Sequence, residues 1–122
     1  MGESYKEEKV VIYNEAERIR AVLSAVDGIK TVTRGWPVTM QELPCVAVTK
    51  ASQAPLRYAD GAAHVSELEY YIRVFADTEA EADAAAVGVD TAMEQMGYRM
   101  TFSGEMDDEN SCIRAMRYRR VV

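Results

Sequence analysis

The chain has 122 residues, a length that suits one domain and buries roughly two-thirds of the surface of the unfolded chain. Hydrophobic residues make up 48% and charged residues 28%, and no apolar run approaches the roughly 18 residues of a membrane span. The net charge of −6 would repel a phosphate backbone, which argues against nucleic acid, and sequence-specific binding above all, as a main partner. We expect one domain over residues 1–122 and no membrane partner.

The two cysteines, Cys45 and Cys112, lie far apart and fit no metal-binding or redox spacing. No secretory signal precedes them, so we expect reduced thiols in a cytosolic protein. Both lie among apolar residues, which favours small core side chains over activated thiolates.

An amphipathic helix is the first predicted element, in the segment "ESYKEEKVVIYNEAERIRAVLSAVDG". Gly28 suits its C-terminal end. Its apolar residues recur at steps of four and three and form one stripe: Ile12, Ala16, Ile19, Leu23 and Val26.

Four strands are predicted next, the last two of them forming a hairpin. "IKTVTRG" and "CVAVTK" are short and β-branched, and the second begins beside Pro44. Asp60-Gly61 suits a tight turn between Leu56–Ala59 and a long second arm. Alternation places one set of residues of this arm on the core and leaves the other face mostly polar. The core set is Leu68, Tyr70, Ile72, Val74 and Ala76.

The hydrophobic period then changes to that of a second helix. Asp77 or Thr78 can cap its N-terminus, and Gly97 ends it. The predicted buried stripe is Ala82, Ala85, Ala86, Val89, Met93 and Met96.

"YRMTFSGEM" and "SCIRAMRYRRVV" are two final strands around a charged turn. Alternation slips between Ile113 and Met116, where we expect a bulge in the last strand. The order α-β-β-β-β-α-β-β, with short turns, predicts an α+β fold. Its sheet is largely antiparallel, two helices pack on one face, and a β-hairpin projects.

Residues suited to catalysis or metal binding are scattered. His64 has no spaced Cys, Asp or Glu set around it. Glu67 and Glu69 share a strand face, but an acid–base pair needs a cleft that raises one pKa. We therefore predict no catalytic residue, no metal site and no cofactor, and a protein that is not an enzyme.

Charge is segregated along the chain. The segment 77–94 has six acids and no base, whereas the last strand has four arginines and no acid. Such runs commonly serve only to solvate a face, but they also suit a head-to-tail contact between subunits. Arg114, Arg117 and Arg119 are candidate residues of that subunit interface.

Two further features are compatible with a neighbour. A strip of small residues on the second helix, including Gly88, lies beside Val87 and suits close packing against the first helix or against another subunit. Leu56 and Tyr58 would be wet on an isolated hairpin. Val87, Leu56 and Tyr58 therefore complete the candidate subunit interface.

The order and texture of the elements resemble the tail-terminator (tail-completion, minor tail) proteins of long-tailed bacteriophages and prophages. The resemblance rests on a leading amphipathic helix, a Pro-initiated strand ("LPCVAV"), a hairpin, and a long strand running into "FADTEAEADAAAVGVDTAMEQMGYRM". An arginine-bearing last strand follows an acidic turn. The similarity is greatest over residues 69–122.

This resemblance implies a subunit of a homo-oligomeric ring, typically a hexamer. The ring would cap the tail tube, end its polymerisation and join the tail to the head connector. The implied partners are copies of the chain itself, the tail-tube protein and the head-connector protein. The implied location is the tail or neck of the virion, after assembly in the cytoplasm of the host bacterium.

A small ligand-binding or regulatory α+β domain is the alternative. It would use a pocket between sheet and helices lined by Tyr70, Met93, Met100 and Phe102. The same four residues also suit a plain core.

Overall fold

One five-stranded sheet carries two helices on one of its faces in the computed structural model, which describes residues 14–36, 41–59, 62–108 and 111–122. The strands lie in the order β1-β2-β3-β5-β4, and only β1 and β2 are parallel. The α+β class and the mostly antiparallel sheet are as predicted. The elements are α1 (Ala16–Ser24), β1 (Thr31–Arg34), β2 (Cys45–Ala59), β3 (Ala62–Ala76), α2 (Glu79–Gln95), β4 (Arg99–Asp108) and β5 (Ser111–Val121).

The β2–β3 hairpin projects beyond the rest of the sheet, as predicted. The two strands pair antiparallel out to Ala59 and Ala62, whereas β1 reaches only as far as Val48 and β5 pairs with β3 only from Glu67 onward. The predicted strands 45–50 and 56–59 run as one strand, β2, with register shifts between them. The turn residues Asp60 and Gly61 lie outside the described residues.

The core lies between the helices and one face of the sheet. The predicted alternation of β3 is confirmed, since Leu68, Tyr70, Ile72, Val74 and Ala76 are all fully buried. Successive strand residues point to opposite faces, so this set alone meets the helices. From α1 the core receives Ile19 and Leu23, and from α2 it receives Ala85, Val89, Ala92 and Met93.

Both predicted signals at the ends of α2 are confirmed. The Thr78 hydroxyl accepts a hydrogen bond from the backbone N–H of Glu81 at 3.1 Å. The same hydroxyl lies 3.1 Å from the Glu81 carboxylate. Gly97 has a φ of +93°, which a residue with a side chain rarely adopts, and the chain leaves the helix there. Helix α1 is shorter than predicted within the described residues, and Ile12 of its predicted stripe lies outside them.

Gly88 packs against the segment that follows α1. A β-carbon at Gly88 would lie 2.6 Å from Val26 Cγ1. At this position the neighbour of the small-residue strip is therefore Val26, just after α1 of the same chain.

The predicted bulge in the last strand is wrong. Strand β5 pairs with β3 without any register shift, so Ile113 and Met116 alternate regularly onto opposite faces. The bulge lies in β4 instead, between Met100 and Phe102. The extra residue moves Phe102 to the face away from the helices, where its side chain is 48% exposed.

We expect Thr78→Ala to lower the free energy of unfolding by about 1 kcal/mol, because the first turn of α2 loses its side-chain cap. Thr91→Ala is the matched control in the same helix, and helix propensity predicts that it is neutral or stabilising by about 0.5 kcal/mol. Urea unfolding followed by circular dichroism measures both values. An equal effect of the two substitutions would contradict the capping role of Thr78.

Candidate interaction surface

Arginine and aromatic side chains alternate across the sheet face that the helices leave uncovered, which we call the open face. The order is Trp36, Arg73, Tyr71, Arg117, Phe102. The Arg73 guanidinium carbon lies 5.1 Å from the Trp36 ring centre and 5.6 Å from that of Tyr71. The Arg117 guanidinium carbon lies 5.1 Å from the Tyr71 ring centre and 5.2 Å from that of Phe102. These are cation–π distances, and we call the row the arginine–aromatic ladder.

Strand register places the ladder residues together. Arg117 of β5 lies opposite Tyr71 of β3 and opposite Phe102 of β4, so these three side chains form one row across three strands. At the far end, the Trp36 ring meets Phe75 edge-on, with ring centres 5.3 Å apart. Phe75 belongs to a small apolar cluster on the open face with Cys45, Ala47 and Ile113.

A shallow groove of about 190 Å³ runs along the ladder. Small residues make room for it, since Ala115 lies opposite Gly104 in the β4–β5 pair. A β-carbon at Gly104 would lie 2.9 Å from the Phe102 ring, so this ring lies against the glycine. The lining of the groove includes Tyr71, Arg73, Phe102, Met106, Ala115 and Arg117.

The open face is unusually apolar and cationic at once. Trp36, Phe102 and Met106 are 50%, 48% and 45% exposed. By register the face also carries four arginines, at positions 73, 99, 117 and 119, against two glutamates, at 67 and 69, and one aspartate, at 108. Among the described residues, neither Arg73 nor Arg117 has a carboxylate at ion-pair distance. Two guanidinium groups are therefore held in place by aromatic rings rather than by anions.

The other arginines of β5 have partners within the chain. Arg114 is 6% exposed and contacts Asp83 at 2.8 Å and Glu105 at 3.6 Å. The hydrogen bond to Asp83 raises the pKa of Arg114. Arg119 lies 3.2 Å from Glu69 on the neighbouring strand. Some of the opposite charge of α2 and β5 is therefore neutralised within one subunit, by the pair of Asp83 and Arg114.

Of the residues predicted for the subunit interface, Arg117, Arg119 and Val87 are exposed, and Val87 is 67% exposed on α2. Arg114 is buried, as described above. Leu56 lies in the β2 arm of the hairpin, and so does Tyr58, but their side chains lie outside what the structure describes. Only Arg117 belongs to the ladder.

Several ladder and groove residues were missed by the prediction from sequence. Strand alternation correctly placed Tyr71 and Arg73 on the face away from the core, but nothing in the pattern paired them with Trp36 or Arg117. Phe102 was assigned to the core side because the bulge before it has no sequence signal. The four residues proposed for a ligand pocket also separate. Tyr70 and Met93 are fully buried and Met100 packs against the same core, whereas Phe102 lies on the open face.

On the helix side of the sheet, two buried tyrosines donate hydrogen bonds to carboxylates at the edge of the core. The Tyr98 hydroxyl donates to the Glu15 carboxylate, which also receives Arg120 at 2.9 and 3.1 Å. The Tyr118 hydroxyl donates to Asp90 at 3.0 Å. Burial, and then the adjacent carboxylate, raises the pKa of Tyr98 and of Tyr118. Glu15 and Asp90 therefore have a structural role, as hydrogen-bond acceptors that link the helix layer to the sheet.

Burial also raises the pKa of the Cys45 thiol, as suits the predicted core side chain. Within the described ranges, no group of three His, Cys, Asp or Glu side chains is placed to hold a metal ion. No helix in the same part of the chain is long and apolar enough to cross a bilayer. The sequence matches no protein-family model and no curated protein.

We expect the free energy of unfolding to fall as the pH rises above about 10. In that range the unfolded tyrosines ionise, whereas Tyr98 and Tyr118 in the folded protein keep their protons because their pKa values are raised. An unfolded tyrosine is on average half ionised between pH 9 and 11, so each such tyrosine contributes about 0.7 kcal/mol per pH unit to the slope over this range. Tyr98→Phe and Tyr118→Phe should each make the slope shallower by that amount, measured by urea unfolding from pH 9 to 11. Slopes equal to that of the wild type would contradict the assignment.

Proposed function

We propose that this protein is a structural subunit of a long-tailed bacteriophage or prophage. Copies of it assemble into a ring, with six as the expected number, at the end of the tail tube. The ring ends polymerisation of the tube and joins the tail to the head connector. The observation that carries the proposal is the open face, where exposed aromatic, aliphatic and guanidinium groups form one continuous surface.

An uncovered sheet face of this kind favours association. Contiguous exposed apolar groups on a small domain are typical of protein–protein contacts, and aromatic residues and arginine are the side chains enriched there. Trp36 and Phe102, at the two ends of the ladder, each leave about half of a large apolar side chain in water. A neighbouring subunit would remove that area from water and so stabilise the assembly.

The hairpin supports the same proposal. From residue 65 back to Ala62, β3 pairs only with β2. Such a two-stranded ribbon is marginally stable in water by itself. In a ring it can lie on an adjacent subunit or on the tube. This role requires a stiff sheet and adhesive surfaces, and it requires no reacting group.

The tail or neck of the virion is the proposed location, with assembly in the cytoplasm of the host bacterium. The proposed partners are further copies of the chain, the tail-tube protein and the head-connector protein. The resemblance of the sequence to tail-terminator proteins supports this set of partners, and the α+β fold with its projecting hairpin is compatible with it.

We expect the purified protein to sediment as an oligomer at low salt and to form rings visible by negative-stain electron microscopy. Added to the polymerising tail-tube protein of the same phage or prophage, the protein should shorten the tubes in proportion to its concentration and label one end of each tube. Heat-denatured protein is the control. A monomer at every concentration, with tubes of unchanged length, would contradict the proposal.

A further inference from the structure

The two layers of the subunit carry opposite charge. By register the open face has four arginines and three acids, at positions 67, 69 and 108. The segment 77–94, which includes most of α2, has six acids and no base. At 100° per residue, Asp83, Val87, Asp90 and Glu94 lie within about 60° of one another on α2, and we call this set the outer face of α2. Each copy of the chain thus presents a cationic surface on its sheet layer and an anionic surface on its helix layer.

The ladder is suited to carboxylates rather than to nucleic-acid bases. Bases bind by stacking on free aromatic faces. Here the Tyr71 ring already lies between Arg73 and Arg117, at 5.6 and 5.1 Å. Neither guanidinium has an ion pair among the described residues, and each has five N–H donors. Such preorganised guanidiniums bind carboxylates and phosphates, and the net charge of −6 disfavours the phosphate backbone of a nucleic acid.

The groove between the ladder arginines is suited to one aliphatic side chain. Its volume of about 190 Å³ is several times the ~30 Å³ occupied by one water molecule. Its lining is apolar at Phe102, Met106 and Ala115. Val87 is an isolated apolar side chain, 67% exposed, in the middle of the acidic outer face of α2.

We propose that the groove on the open face is the docking site for the outer face of α2 of a second copy of this chain. Val87 of one copy enters the groove of the next. The carboxylate of Asp83 contacts Arg73, and that of Glu94 contacts Arg117. Asp83 can do so while paired with Arg114, because 66% of its side chain is exposed. The inference rests on the proposed function, since it specifies how the subunits of the ring join.

The position of the two surfaces determines the kind of assembly. They lie on opposite layers of the subunit, so the contact joins different surfaces of two copies and leaves one of each surface free. Such a heterologous contact continues from copy to copy until the rotation between neighbours closes a ring.

The test is a charge exchange in the full chain. Arg117→Glu and Glu94→Arg should each weaken self-association at least about tenfold, because each places like charges against one another. The double variant Arg117→Glu/Glu94→Arg should restore association to within about threefold of the wild type, because the attraction is only reversed in direction. Sedimentation velocity across a concentration series measures all three.

Lys30→Glu is the matched control, because it makes the same change of charge at an exposed position outside the ladder, and it should leave association unchanged. Val87→Asp tests the apolar contact separately and should also weaken association. Circular dichroism and the melting temperature show whether each variant is folded. Trp36, the one tryptophan of the chain, lies at the end of the ladder, so its fluorescence should shift to shorter wavelength on assembly of the wild type but not of Arg117→Glu.

The outcomes separate the two proposals. A wild-type protein that is monomeric at every concentration would contradict both the ring and this contact. A wild-type oligomer that is unchanged in folded Arg117→Glu and Val87→Asp overturns this contact and leaves the ring. Failure of the double variant to regain association also overturns the pairing of Arg117 with Glu94. A thymidine oligonucleotide that changes Trp36 fluorescence and prevents assembly would overturn the assignment of the groove to a protein partner.

Discussion

The alternation of side chains along β3 is the constraint on which the rest of the structure depends. This strand has a neighbour on each side over residues 67–75, so its register orients both β2 and β5. One set of its residues, from Leu68 to Ala76, meets the helices and is fully buried. The other set, which includes Tyr71 and Arg73, lies on the open face. The strand that builds the core therefore also builds the interaction surface, and a slip of one residue would exchange the two.

Electrostatic pairing inside the subunit decides which charges remain for a partner. Arg114 is neutralised by Asp83, and Arg120 by Glu15, on the helix side of the sheet. Arg119 pairs across the open face with Glu69. Arg117 is left among aromatic rings. A run of four arginines in one strand thus has three structural members and one that is suited to binding.

The surface chemistry accords with a function that depends on shape and association. Aromatic rings hold Arg73 and Arg117 at defined positions without consuming their charge, so little side-chain entropy is lost when an anionic partner arrives. Exposed Phe102 and Met106 add apolar area beside those charges. An arrangement of this kind favours a specific, salt-sensitive contact between proteins, and the acidic outer face of α2 is its complement within the same chain.

Local patterns in the sequence determined the elements of this protein. The period of two in β3, the Thr78 cap, the stripe of α2 and Gly97 each act through neighbours a few residues away, which is why the fold class and most boundaries follow from the sequence. The tertiary structure alone decided the surface. The β4 bulge that turns Phe102 outward, the approach of Asp83 to Arg114, and the meeting of Trp36, Tyr71 and Arg117 all join residues distant in sequence. Their energies depend on strand register and on which partner lies nearest in space, and no local period carries that information.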